Sequence, residues 1–203
     1  MNPILYLISY NFEALKEYFE QCVLKPECHK VNVVWLFIAA LRQENGAKDL
    51  MYKMADASEI GRTSLVRETE RYYSPAHHEL IEGILRKYMN YDEEELGQQY
   101  DFIFNEYEKW SNNVLEPYLD SLFDSPVIKY CNHYVFEFLK IYSDKNPHKT
   151  LDWLLGRYMR EENNWRVFDS MTEVLLTADH KILEFEQNDK VLEDAMAMLD
   201  DVV

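Results

Sequence analysis

Apolar residues recur at helical spacing along almost the whole chain. Leu151, Leu154, Leu155, Tyr158 and Met159 follow the i, i+3, i+4, i+7, i+8 order of a single apolar stripe. Phe168, Met171, Leu175, Ala178 and Ile182 repeat it, as do Leu192, Ala195, Met196 and Leu199. Ile128, Cys131, Val135, Phe138, Leu139 and Tyr142 form another stripe. Leu96, Tyr100, Ile103, Tyr107, Trp110 and Val114 form a longer one, and Ile81, Ile84, Leu85 and Tyr88 a shorter one. Strict alternation is lacking, so no strand is expected. The apolar run Val33 to Leu41 ends in Ala39-Ala40-Leu41 and has no partner strand, which favours a buried helix.

Start and stop signals divide these stripes. Ser74-Pro75, Ser125-Pro126 and Asn146-Pro147 each place a capping oxygen before a proline, whose missing N–H costs nothing in a first turn. Asp92, followed by Glu93, Glu94 and Glu95, sets carboxylates at the positive end of a helix dipole. Asn188-Asp189 opens the last helix in the same way. Asn45-Gly46 reads as a stop, because glycine takes the left-handed conformation without penalty. Pro117 predicts a kink or break around Ser111 to Pro117. The expected helices cover roughly 11–24, 31–44, 47–56, 75–90, 93–112, 113–123, 126–143, 147–161, 165–184 and 189–202. Residues 57–73 mix Arg62, Arg67 and Arg71 with Glu59, Glu68 and Glu70 and have weak apolar spacing, so they read as a long polar loop or an exposed helix.

The fold class is therefore all-α. Short connections after residue 125 predict two antiparallel hairpins, 126–143 with 147–161 and 165–184 with 189–202. Their spacing of roughly forty residues is that of HEAT and armadillo units. The expected architecture is a stack of antiparallel hairpins, a HEAT-like α-solenoid, with a closed helical bundle as the alternative. Residues 1–203 are expected to form one all-α domain, with 57–73 as the place for a seam between 1–56 and 74–203.

The stretch from Leu119 onward, through Asp120-Ser121-Leu122, Ser125-Pro126-Val127-Ile128, Phe138-Leu139, Asn146-Pro147, Leu151-Asp152-Trp153-Leu154-Leu155 and Ala195-Met196-Ala197-Met198-Leu199, resembles a degenerate HEAT-like region. It is similar to the C-terminal repeats of large bacterial multidomain ATPases, including defence-associated ones. The resemblance implies a helical part detached from the catalytic one, since no GxxxxGK[ST] loop occurs among the glycines. The start Ile4-Leu5-Tyr6-Leu7-Ile8 suits a cut solenoid, and equally an ordinary first helix.

Composition narrows the function. Among 203 residues there are five glycines and six prolines, fewer than a turn-rich β protein needs. The net charge is −16, and 92–124 and 161–203 each carry −9. Such a field repels phosphate backbones, so nucleic acid is an unfavoured partner and a basic protein surface a favoured one. Cys22, Cys28 and Cys131 show no CxxC spacing and read as free thiols in a reducing cytoplasm. No apolar run reaches membrane-spanning length, and no cofactor motif occurs.

Few residues carry candidate chemistry. Arg71-Tyr72-Tyr73-Ser74-Pro75-Ala76-His77 fits the Arg-to-His spacing of HEPN-type ribonucleases, which implies His77 as acid/base and Arg71 as balance for phosphate charge. Pro75 sets a helix start between the two, whereas that family carries its motif on a helix. The plain alternative for His77 is a hydrogen-bonded first-turn histidine. His77-His78-Glu79 point to different faces, and His78 with Glu82 is one pair rather than a metal site. Asp179-His180 has no serine in a nucleophile turn. Tyr72, Tyr73 and Tyr91 lie near segment ends, where aromatic side chains anchor partners. The expected function is a non-catalytic protein-interaction or scaffolding module. A metal-independent ribonuclease using Arg71 and His77 and a structural segment of an ATPase are the alternatives.

Overall fold

A computed structural model describes residues 3–105, 112–131, 134–156 and 174–178, with side chains from Phe12 onward and, in the eighth helix, from Tyr118. All regular structure among the described residues is helical. The elements are α1 (Pro3–Cys22), α2 (His29–Leu41), α3 (Ala47–Asp56), α4 (Glu59–Tyr72), α5 (His78–Tyr88), α6 (Glu94–Gln98), α7 (Asp101–Asn105), α8 (Asn112–Phe123), α9 (Val135–Ser143) and α10 (Pro147–Gly156). Short 3-10 turns at Pro26–Cys28, Pro75–His77 and Pro126–Tyr130 each begin at a proline. No helix among the described residues is long and apolar enough to cross a membrane. The chain divides into two compact units, Met1–Gln99 and Tyr100–Val203.

In the first unit α2 is the central element. It is apolar on nearly every face, and Val33, Trp35, Leu36, Phe37 and Ala39 are buried. α3 and α4 pack on it and on each other, and α1 covers it from the other side of the sequence. Gly46 is left-handed (φ +79°), but it stands at the start of α3 rather than stopping α2, which ends at Leu41 and is followed by left-handed Gln43 (φ +60°).

The stretch 57–73 is neither a polar loop nor an exposed helix. α4 is buried from Gly61 to Val66 and again at Glu68 and Thr69. Only Leu65 and Val66 among its buried residues are large and apolar; the others are small or polar, which is why apolar spacing misses it. A Cβ at Gly61 would stand 2.9 Å from the Met54 carbonyl oxygen and 3.1 Å from Ala55 Cα, so glycine is what lets α3 and α4 approach. The seam between compact units falls at Gln99–Tyr100, not within 57–73.

In the second unit α9 and α10 pack together across the short link Asp144–Asn146, and α7 packs on α9. The core is aromatic. Trp153 stacks on Phe123 with centroids 5.0 Å apart and planes 11° from parallel. Phe138 and Tyr142 lie 6.0 and 5.1 Å from Trp153, and Phe104 lies 5.7 Å from Phe123. Asp120 tethers this cluster: its Oδ1 accepts from Trp153 Nε1 at 2.8 Å and from Lys149 Nζ at 2.6 Å.

Several helix boundaries differ from expectation, the first being α1, which starts at Pro3 rather than near residue 11. The stripe at 93–112 is split at Gln99–Tyr100 into α6 and α7. The segment 126–143 opens with a 3-10 turn and becomes α-helical only at Val135. Ser125 does not cap it forward, because its hydroxyl donates back to the Leu122 carbonyl at 2.6 Å. α8 runs through Pro117, which has no N–H to give to the helix ladder. Asn146 is a true cap, accepting from the Lys149 N–H at 3.2 Å. Residues 174–178 are helical within the expected 165–184 element, and the expected final helix, 189–202, lies outside the described residues.

Candidate functional site

The Arg71–His77 segment spans a helix end rather than one helix. α4 stops at Tyr72, Tyr73 is extended, and Pro75 starts the 3-10 turn that carries His77. Arg71 donates Nη1 to both oxygens of Glu68, at 3.1 and 3.4 Å, so that carboxylate offsets its charge. His77 Nδ1 lies 3.2 Å from the Tyr72 carbonyl and 3.2 Å from Ser74 Oγ. A carbonyl only accepts, so Nδ1 carries the proton and Nε2 is the basic nitrogen. His77 lines an open cleft of about 230 Å³ with Leu41, Gln43, Lys48, Glu79 and Leu80. This volume falls below the roughly 300–1,000 Å³ of most small-molecule sites. His77 is thus an oriented imidazole whose sequence-predicted cation is spent on a neighbour.

The three tyrosines all pack within the first unit. Tyr72 meets Phe37 edge to face at 5.7 Å. Tyr73 sets its hydroxyl 3.4 Å from His78 Nδ1, and burial, then the Glu82 charge, pushes its phenol up. Tyr91 lies under the Arg62 guanidinium, 4.5 Å from the ring centroid. His78 and Glu82 do pair, at 3.2 Å, but Glu82 also accepts from Arg86 at 2.7 Å along the same helix face.

Arg62 anchors the polar cluster that sequence reading overlooked. It is buried, donates from Nε to Glu93 at 3.0 Å and makes a second bond from Nη2 to the same carboxylate. Its Nη1 donates to the Asp56 carbonyl at 3.0 Å, closing the end of α3. The Glu93 hydrogen bond is the main cause that holds the Arg62 guanidinium above its ordinary range. Next to it, Asp56 accepts from Lys87 Nζ at 2.8 Å and from the Tyr88 hydroxyl at 3.0 Å. Burial, followed by the Asp56 charge, pushes the Tyr88 phenol far up. Every partner here is internal, and the cluster ties the ends of α3 and α5 to the starts of α4 and α6.

The corner between α1 and α2 differs from both. Leu24 is 84% exposed, Val31 56% and Tyr18 48%. The neighbouring Cys22 thiol is the largest cause pushing the Tyr18 phenol up. Glu17, Glu20, Lys25, Glu27 and Lys30 are exposed around these apolar side chains. On α1, Glu13, Glu17 and Glu20 share one solvent face at i, i+4, i+7. Sequence spacing conceals this corner, because Leu24 and Val31 fall at the ends of the expected helices 11–24 and 31–44, and spacing does not give their exposure. The turn between them, Lys25-Pro26, was the available signal.

No family model, no curated protein and no solved structure matches this chain. Among the described residues, no group of three His, Cys, Asp or Glu side chains stands ready to hold a metal ion.

Proposed function

We propose that this chain is a protein-interaction module that takes a basic, apolar-tipped segment of a partner on the α1–α2 corner. The observation that carries the reading is the exposure of Leu24, Val31 and Tyr18 at the α1–α2 corner, in stretches of chain that also expose Glu17, Glu20, Lys25, Glu27 and Lys30. An apolar centre with a polar rim is the anatomy of a protein interface. The acidic face and the chain's net charge of −16 select a basic partner. The pairing of Arg71 with Glu68 and the small cleft at His77 favour this over the ribonuclease reading.

The scaffold is a stack of HEAT-like hairpins in this proposal. In the first unit α2 packs on α3 and on α4, and α4 on α6; in the second α7 packs on α9 and α9 on α10. Neighbour and next-neighbour packing is how stacked hairpins share their faces.

The test is affinity capture from nuclease-treated lysate of the source cell, followed by titration of the purified partner. Wild type is compared with the Leu24→Asp/Val31→Asp double variant, and Ile141→Asp, exposed in the second unit, is the control. The expected result is a stoichiometric partner whose affinity falls at least about tenfold in the double variant and weakens with added salt. A partner that binds the double variant as well as wild type overturns the reading, as does the lack of any stoichiometric partner.

A further inference from the structure

We propose that the cleft beside His77 binds a free aliphatic α-amino acid. The inference is independent of the partner reading above, because the cleft shares no lining residue with the α1–α2 corner.

The cleft joins two stretches of the first unit that are distant in sequence. The end of α2, the loop after it and the first turn of α3 form one wall, and the turn Pro75–His77 with the first turn of α5 forms the other. Gln43, Lys48, His77 and Glu79 supply the polar groups. Leu41 and Leu80, both half-buried, supply the apolar ones.

Gln43 stands where the backbone asks for glycine. The Gln43 N–H donates to the Ala40 carbonyl at 2.9 Å, and the Glu44 N–H donates to the Ala39 carbonyl at 3.1 Å. This paired closure of α2 needs a left-handed residue at position 43, where φ is +60°. Glycine takes that conformation without strain, and glutamine does not. Strain kept at the wall of a cleft points to a side chain retained for what it contacts.

The charges select the ligand. His77 Nδ1 gives its proton to the Tyr72 carbonyl at 3.2 Å, so Nε2 is the nitrogen left to accept from a bound molecule. Among the described residues, no hydrogen bond or ion pair within the protein engages the side chains of Gln43, Lys48 or Glu79. A ligand with a carboxylate alone would gain Lys48 but meet the like charge of Glu79. A ligand with an ammonium alone would gain Glu79 and His77 Nε2 but meet Lys48. A molecule that carries both charges satisfies all three, and the Gln43 amide can donate to its carboxylate. Leu41 and Leu80 then receive an aliphatic side chain. No Phe, Tyr or Trp lines the cleft to stack on a base, and about 230 Å³ is too small for a nucleotide.

The full chain is titrated with L-leucine in a calorimeter, beside 4-methylpentanoate, which lacks the ammonium, and 3-methylbutylamine, which lacks the carboxylate. Leucine should bind one to one with Kd no weaker than about 1 mM, and each analogue at least about tenfold more weakly. Lys48→Met should weaken leucine at least about tenfold and leave 3-methylbutylamine unaffected. Glu79→Gln should weaken leucine as much and leave 4-methylpentanoate unaffected. Both positions are exposed, so circular dichroism should not change. Gln43→Gly should bind leucine less tightly yet unfold at a higher urea concentration, because the strain at φ +60° is gone. The proposal is overturned if leucine shows no saturable binding, if either analogue binds as well as leucine, or if both charge variants bind leucine as wild type does. A Gln43→Gly variant less stable than wild type overturns the place of Gln43 in the site, because the glutamine then serves the fold.

Discussion

The two units join their helices with different chemistry. In the first, α3, α4, α5 and α6 meet through charges and hydroxyls: Arg62 with Glu93, and Asp56 with Lys87 and Tyr88. In the second, α7, α8, α9 and α10 meet through Phe104, Phe123, Phe138, Tyr142 and Trp153, with Asp120 as a polar tether. The two solutions divide stability and geometry differently. An aromatic cluster removes much apolar area from water and tolerates many ring orientations. A buried ion pair has little net value against an apolar replacement, yet losing one partner strands the other charge. The first unit is therefore sensitive to single polar changes and the second to loss of volume.

The largest break in this comparison is Trp153→Ala. It removes the ring stacked on Phe123 and strips Asp120 of its indole donor, at a cost of about 4 kcal/mol, within the range for large aromatic deletions. Denaturant unfolding followed by far-ultraviolet circular dichroism reads the loss, and hydrogen exchange in α9 and α10 locates it. Trp153→Phe keeps most of the volume and should cost less than half as much. Equal costs for the two variants would show that Asp120, not the stack, holds this core.

The next break is Arg62→Ala, expected to cost about 3 kcal/mol because Glu93 loses its partner and two carbonyls at the end of α3 lose their donor. The sharper experiment is the double variant Arg62→Met/Glu93→Leu, which removes both charges and should recover most of that loss. A double variant as unstable as Arg62→Ala would mean that the end of α3, rather than the ion pair, is what Arg62 supports.

The units also differ in how far their sequences disclose them. The second unit uses large apolar residues at helical spacing, so the stripes at 126–143 and 147–161 locate α9 and α10 directly. Its first helical turn after Pro126 is 3-10, a distinction that periodicity does not carry. The first unit hides α4, because Gly61, Thr63, Ser64 and Thr69 fill its interior face and Arg62 and Glu68 are buried through pairing. A hydrophobicity pattern registers none of these. Among the site residues, Arg71, His77, Tyr72, Tyr73 and Tyr91 are near one another in sequence or in the polar cluster, yet each is engaged by an internal neighbour. The α1–α2 corner was illegible for the opposite reason. Exposure of Leu24 depends on where the turn at Lys25-Pro26 sends the chain, which no spacing rule encodes.

The smallest expected effect concerns the buried joint between α2 and α4. His29 Nε2 faces the Val23 carbonyl at 3.0 Å and must donate to it, which leaves Nδ1 as an acceptor. The Ser58 hydroxyl therefore donates to Nδ1 at 2.7 Å while its oxygen accepts from the Gly61 N–H at 3.1 Å, capping α4. Ser58→Ala leaves one acceptor and one N–H unpaired, a loss of about 1–2 kcal/mol in denaturant unfolding. Ser58→Asp separates the two roles, since a carboxylate caps α4 but cannot donate to a neutral imidazole. Ser58→Asp should therefore recover the capping share of the Ser58→Ala loss and leave the His29 share in place. If Ser58→Asp is instead as stable as wild type, the serine is a helix cap alone, and the proton between Ser58 and His29 plays no part in holding α4 to α2.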